Sequence, residues 1–210
     1  MGPVRNAGNV TQSRVRLHAV GDAMNKPFTN VYLIGPMGSG KTTIGQRLAK
    51  MLNLEFLDND HELEEQTGAS VNLIFDLEGE AGFRKRETAM LKKLTARKNV
   101  LISTGGGTIL KKENRDLLRE NGLVVYLRTS VNQQIMRLSR DKTRPLLQSD
   151  NREEKLADLA KERNPLYQEL ADVTFTSQNS SLFAADVGVI FPFSTFSAIS
   201  GSSFLTPLSF

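Results

Sequence analysis

The chain contains no cysteine. Disulfides and thiolate metal sites are therefore excluded. None of its apolar runs reaches the roughly 18–20 residues that a membrane-spanning helix needs. Residues 1–23 carry Arg5, Arg14 and Arg16 but lack the apolar core of roughly 7–15 residues found in a secretory signal. The expected location is cytoplasmic, with no membrane partner. An excess of one charge is also missing: the formal net charge is +4 over 210 residues, too little to argue for a nucleic-acid partner. The basic residues gather at 84–98 and 137–163, where solvated helix faces account for most of them. Beyond Asp186, charge disappears altogether. Val187–Phe210 is rich in Phe, Ser and Pro, which does not make an amphipathic helix. Residues 187–210 are expected to form an irregular apolar tail, and an exposed tail of this kind is an aggregation liability.

What is present is ordinary for a globular chain: 24% charged and 39% apolar residues, with length enough for one domain and a full core. Residues 1–29 show neither a period of 2 nor one of 3.6 and read as a disordered extension. Met24 lies six residues ahead of the first strand candidate and reads as the natural start, with 1–23 upstream of it. From 30 to 186 the pattern alternates. Strand candidates are 30–35, 54–58, 99–103, 123–128 and 172–176. Helical patterns fall at 41–52, 60–67, 70–77, 80–97, 113–121, 130–139 and 153–170. Val100-Leu101-Ile102 and Leu123–Leu127 are near-continuous apolar runs, as in strands covered on both faces. Strand–helix alternation predicts an α/β fold with a parallel sheet and right-handed crossovers.

Gly35-Pro36-Met37-Gly38-Ser39-Gly40-Lys41-Thr42 fits G-x-x-x-x-G-K-[ST]. It follows the apolar run Val31–Ile34 and precedes the helical pattern that starts at Thr42. A strand feeding a Gly-rich loop feeding a helix turns several N–H groups toward one point, where the helix N-terminus adds positive potential. Gly38, Ser39, Gly40, Lys41, Thr42 and Thr43 are the candidate phosphate-binding residues. Lys41 can reach the β- and γ-phosphates, and the Thr42 hydroxyl is placed to ligate Mg²⁺. An apolar strand ending in Asp, the common second motif of large motor ATPases, is absent. The metal is left to Thr42 and Asp58.

Asp58 and Asp60 follow the strand candidate Leu54–Leu57. Ligands of open parallel sheets bind beyond the C-terminal strand ends. One carboxylate can hold the metal shell while the other faces an acceptor hydroxyl. Asp60 also suits the N-cap of the helix that follows. Thr104-Gly105-Gly106-Gly107 follows another strand, and three glycines there let a backbone approach a ligand without a Cβ in the way. Arg84 and Arg163 are candidate anion clamps, since arginine grips a carboxylate with two parallel hydrogen bonds. On spacing alone each is equally a surface residue. Residues 140–152, basic around Arg144-Pro145, suit a lid that carries an arginine to the transferring phosphoryl group. His61 reads as a surface residue.

Taken together, Gly35–Thr43, Phe56-Leu57-Asp58-Asn59-Asp60, Phe75–Arg84, Thr104–Gly107, Arg144-Pro145-Leu146-Leu147 and Arg163-Asn164-Pro165-Leu166-Tyr167 closely resemble the shikimate kinases over residues 28–178. The resemblance implies a P-loop, nucleoside-monophosphate-kinase-like three-layer sandwich with a five-stranded parallel sheet. It implies a lid near 140–152, a substrate-binding subdomain near 59–87, and a monomer. The implied reaction is phosphorylation of the shikimate 3-hydroxyl by ATP with Mg²⁺, on the route to chorismate and the aromatic amino acids. By position, Asp60 resembles the residue at the reacting hydroxyls. Arg84 and Arg163 resemble the family's carboxylate-binding arginines, and Gly106 a backbone contact to shikimate. Arg144 resembles the lid arginine, Arg137 a residue packing on adenine, and Gln178 lies near the adenine-side loop. The uncharged tail departs from the family's usual final amphipathic helix. Other readings are another small-molecule kinase of this fold, such as a gluconate or nucleotide kinase, and a nucleotide-dependent binding protein without catalysis. A two-arginine clamp speaks against a nucleotide acceptor, and a pure switch needs no acceptor site.

Overall fold

Val31–Ile34 (β1) runs into the Gly-rich loop and then into helix Lys41–Leu52 (α1). These elements belong to a computed structural model that describes residues 28–139 and 151–176. The expectations placed on 1–27, on Arg144 and the body of the lid, on Gln178 and on the 187–210 tail lie outside the described residues. The chain continues through Glu55–Asp58 (β2), Asn59–Thr67 (α2), Val71–Thr95 (α3) and Val100–Ser103 (β3). A short 3₁₀ turn, Thr108–Leu110, leads to Lys112–Asn121 (α4) and Leu123–Arg128 (β4). Val131–Leu138 (α5), Arg152–Leu170 (α6) and Val173–Thr176 (β5) complete the described part.

All five strands pair in parallel, in the order β2-β3-β1-β4-β5. Val31 of the central strand faces Leu101 on one side and Leu123 on the other. Successive side chains of a strand point to opposite faces, and here both faces are covered. Val31, Leu33, Leu101 and Val125 pack with Leu48, Ala49 and Leu52 of α1. Tyr32, Ile34, Ile102, Val124 and Tyr126 pack with α3 (Met90, Leu91, Leu94), Leu118 of α4 and Tyr167 of α6. This is why β1 and β3 read as unbroken apolar runs: every one of their residues is buried. The helix–sheet–helix sandwich read from the sequence is the observed architecture.

The element limits differ from the sequence reading in instructive places. β1 begins at Val31, and Asn30 ahead of it is buried. Its amide donates to the Arg97 carbonyl at 2.7 Å and accepts from Val100 N–H at 3.3 Å, which ties the entry of β1 to that of β3. Phe28, expected within the extension, packs against the α1-side core. The two helices expected at 70–77 and 80–97 are observed as Val71–Thr95, two helices that meet in a kink at Gly79 (φ 66°, ψ −177°). That backbone conformation is open to glycine and costly for other residues. α2 starts at Asn59, and its N-cap is Asp58 rather than Asp60: the Asp58 carboxylate accepts from the Asp60 N–H at 3.2 Å. α6 contains Pro165. Proline has no N–H for the Lys161 carbonyl one turn back, so the helix is locally weakened.

β2, β3 and β1 lie side by side, and each ends in one of the chemically suggestive segments. Asp58 and Asp60 close β2, Thr104–Gly107 leaves β3, and the Gly-rich loop leaves β1. Thr104 holds two of these together, its N–H and its hydroxyl both donating to the Leu33 carbonyl at 3.1 and 3.0 Å. The expected convergence at the C-terminal strand edge is therefore built by adjacent strands.

Candidate active site

Gly38 and Gly40 adopt φ of 72° and 88°, so the loop bends in a way that L side chains resist. Gly40 is the N-cap of α1 and has no side chain to satisfy the first-turn N–H groups, and that turn carries no acid. Those donors remain for an anion. Lys41 curls back over the loop, its Nζ donating to the Gly35 carbonyl at 2.7 Å, the Pro36 carbonyl at 2.9 Å and Ser39 Oγ at 3.3 Å. Ser39 is buried, and Thr42 and Thr43 are exposed at the start of α1. Arg137 reaches in from α5, with Nη1 donating to the carbonyls of Gly38 at 3.1 Å and Ser39 at 3.5 Å.

Thr42 Oγ1 donates to Asp58 Oδ2 at 2.9 Å, while Asp58 Oδ1 caps α2. The two candidate metal ligands are thus neighbours, one hydroxyl and one carboxylate, both hard oxygens. Mg²⁺ favours such a site: it keeps several waters and takes one or two protein oxygens beside substrate phosphates. The residues present fit the ion.

A cleft of about 880 Å³ opens beside the loop, lined by Asp60, Phe75, Arg84, Glu87, the three glycines and Arg163. The two arginines enter it in different states. Arg84 lies over the Phe83 ring, 5.2 Å from its centroid. Its Nη1 donates to Glu87 Oε2 at 2.8 Å, and its Nε and Nη2 to Glu80 Oε1 at 3.3 and 3.2 Å. Burial works against its charge, but Glu87 and Glu80 outweigh burial and hold its pKa above the ordinary value. Arg163, with a side chain 14% exposed, has Glu162 at 3.8 Å as its ion-pair partner among the described residues. Its buried Nε has no hydrogen-bond partner among the described residues. A guanidinium held this way is a costly arrangement that a ligand carboxylate relieves.

The glycines do more than admit a ligand. A Cβ on Gly105 would stand 2.9 Å from Glu87 Oε1 and 3.0 Å from Asp60 Oδ1, and one on Gly107 would overlap the Arg84 guanidinium. Their missing side chains make room for the functional groups themselves. Gly106 sits against the phosphate loop, its Cβ position 3.6 Å from Met37 N, and its carbonyl accepts from the Tyr167 hydroxyl at 2.5 Å.

The structure therefore brings Asp60, Arg84, Gly106 and Arg163 to one cleft, while Thr42 and Asp58 form a pair that the Asp58 cap ties to Asp60, and Lys41 bonds to its own loop. His61 is exposed on α2 beside Glu65. Three residues had no role in the sequence reading. Glu87, fully buried, accepts from Thr108 Oγ1 at 2.6 Å and anchors Arg84. Tyr167 anchors Gly106. The signal for Glu87 was its place three residues after Arg84, one helical turn on. Thr108 follows the glycine run directly, and Tyr167 stands one turn beyond Arg163.

Comparison with known proteins adds independent findings. The family profile described as shikimate kinase matches residues 37–188. A shikimate kinase of Actinobacillus pleuropneumoniae is 55% identical over 152 residues, 72% of this chain and 88% of that one. One of Vibrio parahaemolyticus is 53% identical over the same shares. The solved structure of the shikimate kinase from Acinetobacter baumannii in complex with shikimate superposes with a TM-score of 0.74 at 50% identity, covering 78% of this chain and 93% of its own.

Proposed function

The chain belongs to the shikimate kinase family, and from that membership we propose the following chemistry: it transfers the γ-phosphoryl group of ATP to the 3-hydroxyl of shikimate, giving shikimate 3-phosphate and ADP. The reaction is a step in aromatic amino acid biosynthesis. The observation that carries the reading is the pair of partly buried arginines on one cleft, one paired with Glu87 and one whose Nε has no hydrogen-bond partner among the described residues, with Asp60 beside them. Such a cleft selects a small acceptor bearing one carboxylate.

Arg163 and Arg84 hold the shikimate carboxylate and fix the ring's orientation. Asp60, at the first turn of α2, orients the reacting hydroxyl and receives its proton as the oxygen attacks phosphorus. Charge in this transition state spreads over three equatorial oxygens. The α1 N-terminal N–H groups face that charge, and Lys41 turns from the Gly35 and Pro36 carbonyls to meet it. Thr42 and Asp58 are the residues that would hold Mg²⁺, which would supply positive charge against the phosphate oxygens. Arg144, assigned by its place in the sequence, supplies a further cation from the segment 140–152, read as the lid. Residues 59–87 serve as the substrate subdomain. Arg137 and, by its place in the sequence alone, Gln178 are assigned to adenine, and Arg137's grip on the loop carbonyls suits that role. No helix among the described residues is long and apolar enough to cross a membrane. We place the enzyme in the cytoplasm as a monomer.

A gluconate kinase or nucleotide kinase would use the same phosphate loop but a different acceptor cleft. Turnover of ATP with shikimate, gluconate and nucleoside monophosphates separates these readings. Shikimate is expected to be turned over, with the others near background. Preference for gluconate or a nucleotide would overturn the assignment.

A further inference from the structure

We propose that Tyr167 is a positioning residue for shikimate: its hydroxyl locks the Arg163 segment of α6 to the glycine loop and so sets where the clamp meets the substrate. The proposal rests on the clamp reading above.

Three observations support it. Tyr167 is fully buried, and its hydroxyl donates to the Gly106 carbonyl at 2.5 Å, across 61 residues of sequence. It stands four residues after Arg163, on the same helix face, so a shift of its hydroxyl moves that face. Pro165 lies between the two and removes an N–H that would otherwise hold this turn. The turn carrying Arg163 is therefore positioned by contacts outside the helix. Among the described residues those contacts include Tyr167 to Gly106, the stack of Tyr167 on Tyr126 with centroids 5.0 Å apart, and Tyr126 Oη donating to Asn164 Oδ1 at 3.1 Å.

The loop end of this tie matters as much. Gly106 lies between Gly105, packed against Asp60 and Glu87, and Gly107, packed against Arg84. The carbonyl that Tyr167 holds is thus at the centre of the segment on which the acceptor-side groups rest. The charged groups that face the Tyr167 phenol are Arg163, Arg84 and Glu87. Burial pushes its pKa well above the usual phenol value, so the hydroxyl stays a donor wherever the chain is folded. Tyr167 touches neither reacting atom. It acts through Arg163 and the loop.

Tyr167→Phe removes the hydroxyl and keeps the ring stack. Tyr32→Phe is the control, because it also removes a buried hydroxyl, one that donates to the Asn121 carbonyl, but leaves the bonds at the Arg163 turn and at Gly106 in place. Tyr167→Phe is expected to raise KM for shikimate about tenfold while KM for ATP stays within about twofold, a selective loss of acceptor binding. Tyr32→Phe is expected to lower the melting temperature comparably and leave both KM values unchanged. Wild-type KM for shikimate in Tyr167→Phe, or equal changes in both KM values, would overturn the proposal. In either event a raised KM for shikimate in Arg163→Ala leaves the clamp reading standing, and an unchanged one removes it. Should Tyr167→Phe fail to fold, 3-fluorotyrosine at 167 asks the same question. Its ¹⁹F resonance is expected to move on adding shikimate and to hold still with ADP alone. An unmoved resonance with saturating shikimate would contradict the coupling.

Discussion

Thr42 and Asp58 are joined by a 2.9 Å hydrogen bond across sixteen residues, from the first turn of α1 to the end of β2. The same Asp58 carboxylate caps α2 through the Asp60 N–H. One side chain thus links the proposed metal site to the residue proposed to face the acceptor. Asp58→Ala should lose the cap, about 1 kcal/mol of stability, and raise the Mg²⁺ concentration needed for half-maximal rate. Magnesium titration of kcat checks this. An unchanged requirement would take Asp58 out of the metal site.

Lys41→Ala should lower kcat by roughly 10²–10³, taking the loss of one transition-state donor as a guide. Its far-UV circular dichroism should match the parent, because the Nζ bonds to Gly35, Pro36 and Ser39 are local to the loop and tie no helix to the sheet. Near-parental turnover would remove the phosphate-loop lysine from the mechanism.

The two arginines proposed as the clamp should separate in stability while agreeing in function. Both alanine variants should raise KM for shikimate far more than KM for ATP. Arg84→Ala leaves Glu87 buried without its cation and should cost about 3–5 kcal/mol of stability. Arg163→Ala removes a guanidinium with an unmet donor and should be near neutral. Urea denaturation decides, and equal losses in the two would contradict the asymmetry.

Gly107→Ala should displace Arg84 and raise KM for shikimate, since its Cβ would overlap the guanidinium. Gly106→Ala has ordinary van der Waals room and should keep the fold's stability within about 1 kcal/mol. Paired melting curves and shikimate kinetics test the contrast.

Stability should fall in alkali. Burial, opposed in part by the Asn30 hydrogen bond, raises the Tyr32 phenol from 10.0 to about 12. Tyr126 and Tyr167 shift the same way. A folded pKa above the unfolded one means the contribution is complete below pH 10 and is lost as pH rises through about 12. The slope for one such group is at most about 1.4 kcal/mol per pH unit. Urea midpoints should therefore drop between about pH 9 and pH 11.5, and less so in Tyr32→Phe. A flat profile would contradict the shift.

How much of this was legible depended on whether the signal was local. The phosphate loop was, because glycine spacing and flanking patterns lie in one stretch. So were β1, β3 and β4, whose burial on both faces writes itself as unbroken apolar runs. The roles of Arg84 and Arg163 were not separable from surface arginines by spacing, since what distinguishes them is burial and a shared cleft. Glu87 was hidden because a buried carboxylate in a helix looks like any charged helix position until Arg84 and Thr108 are seen around it. The cap of α2 was misplaced by two residues, because Asp58 and Asp60 are both good caps and only tertiary contact with Thr42 picks one. The boundary expected between 77 and 80 was legible, and it is the non-helical Gly79 where the two helices meet.

The most direct test of the central claim is the identity of the product. ATP, Mg²⁺ and shikimate are incubated with the full chain, and the product is read by ³¹P–¹H correlation. The account predicts one new phosphoester whose phosphorus couples to the proton on carbon 3, with ADP formed in equal amount. Phosphorus on another hydroxyl, or ADP formed without a phosphorylated shikimate, would contradict it.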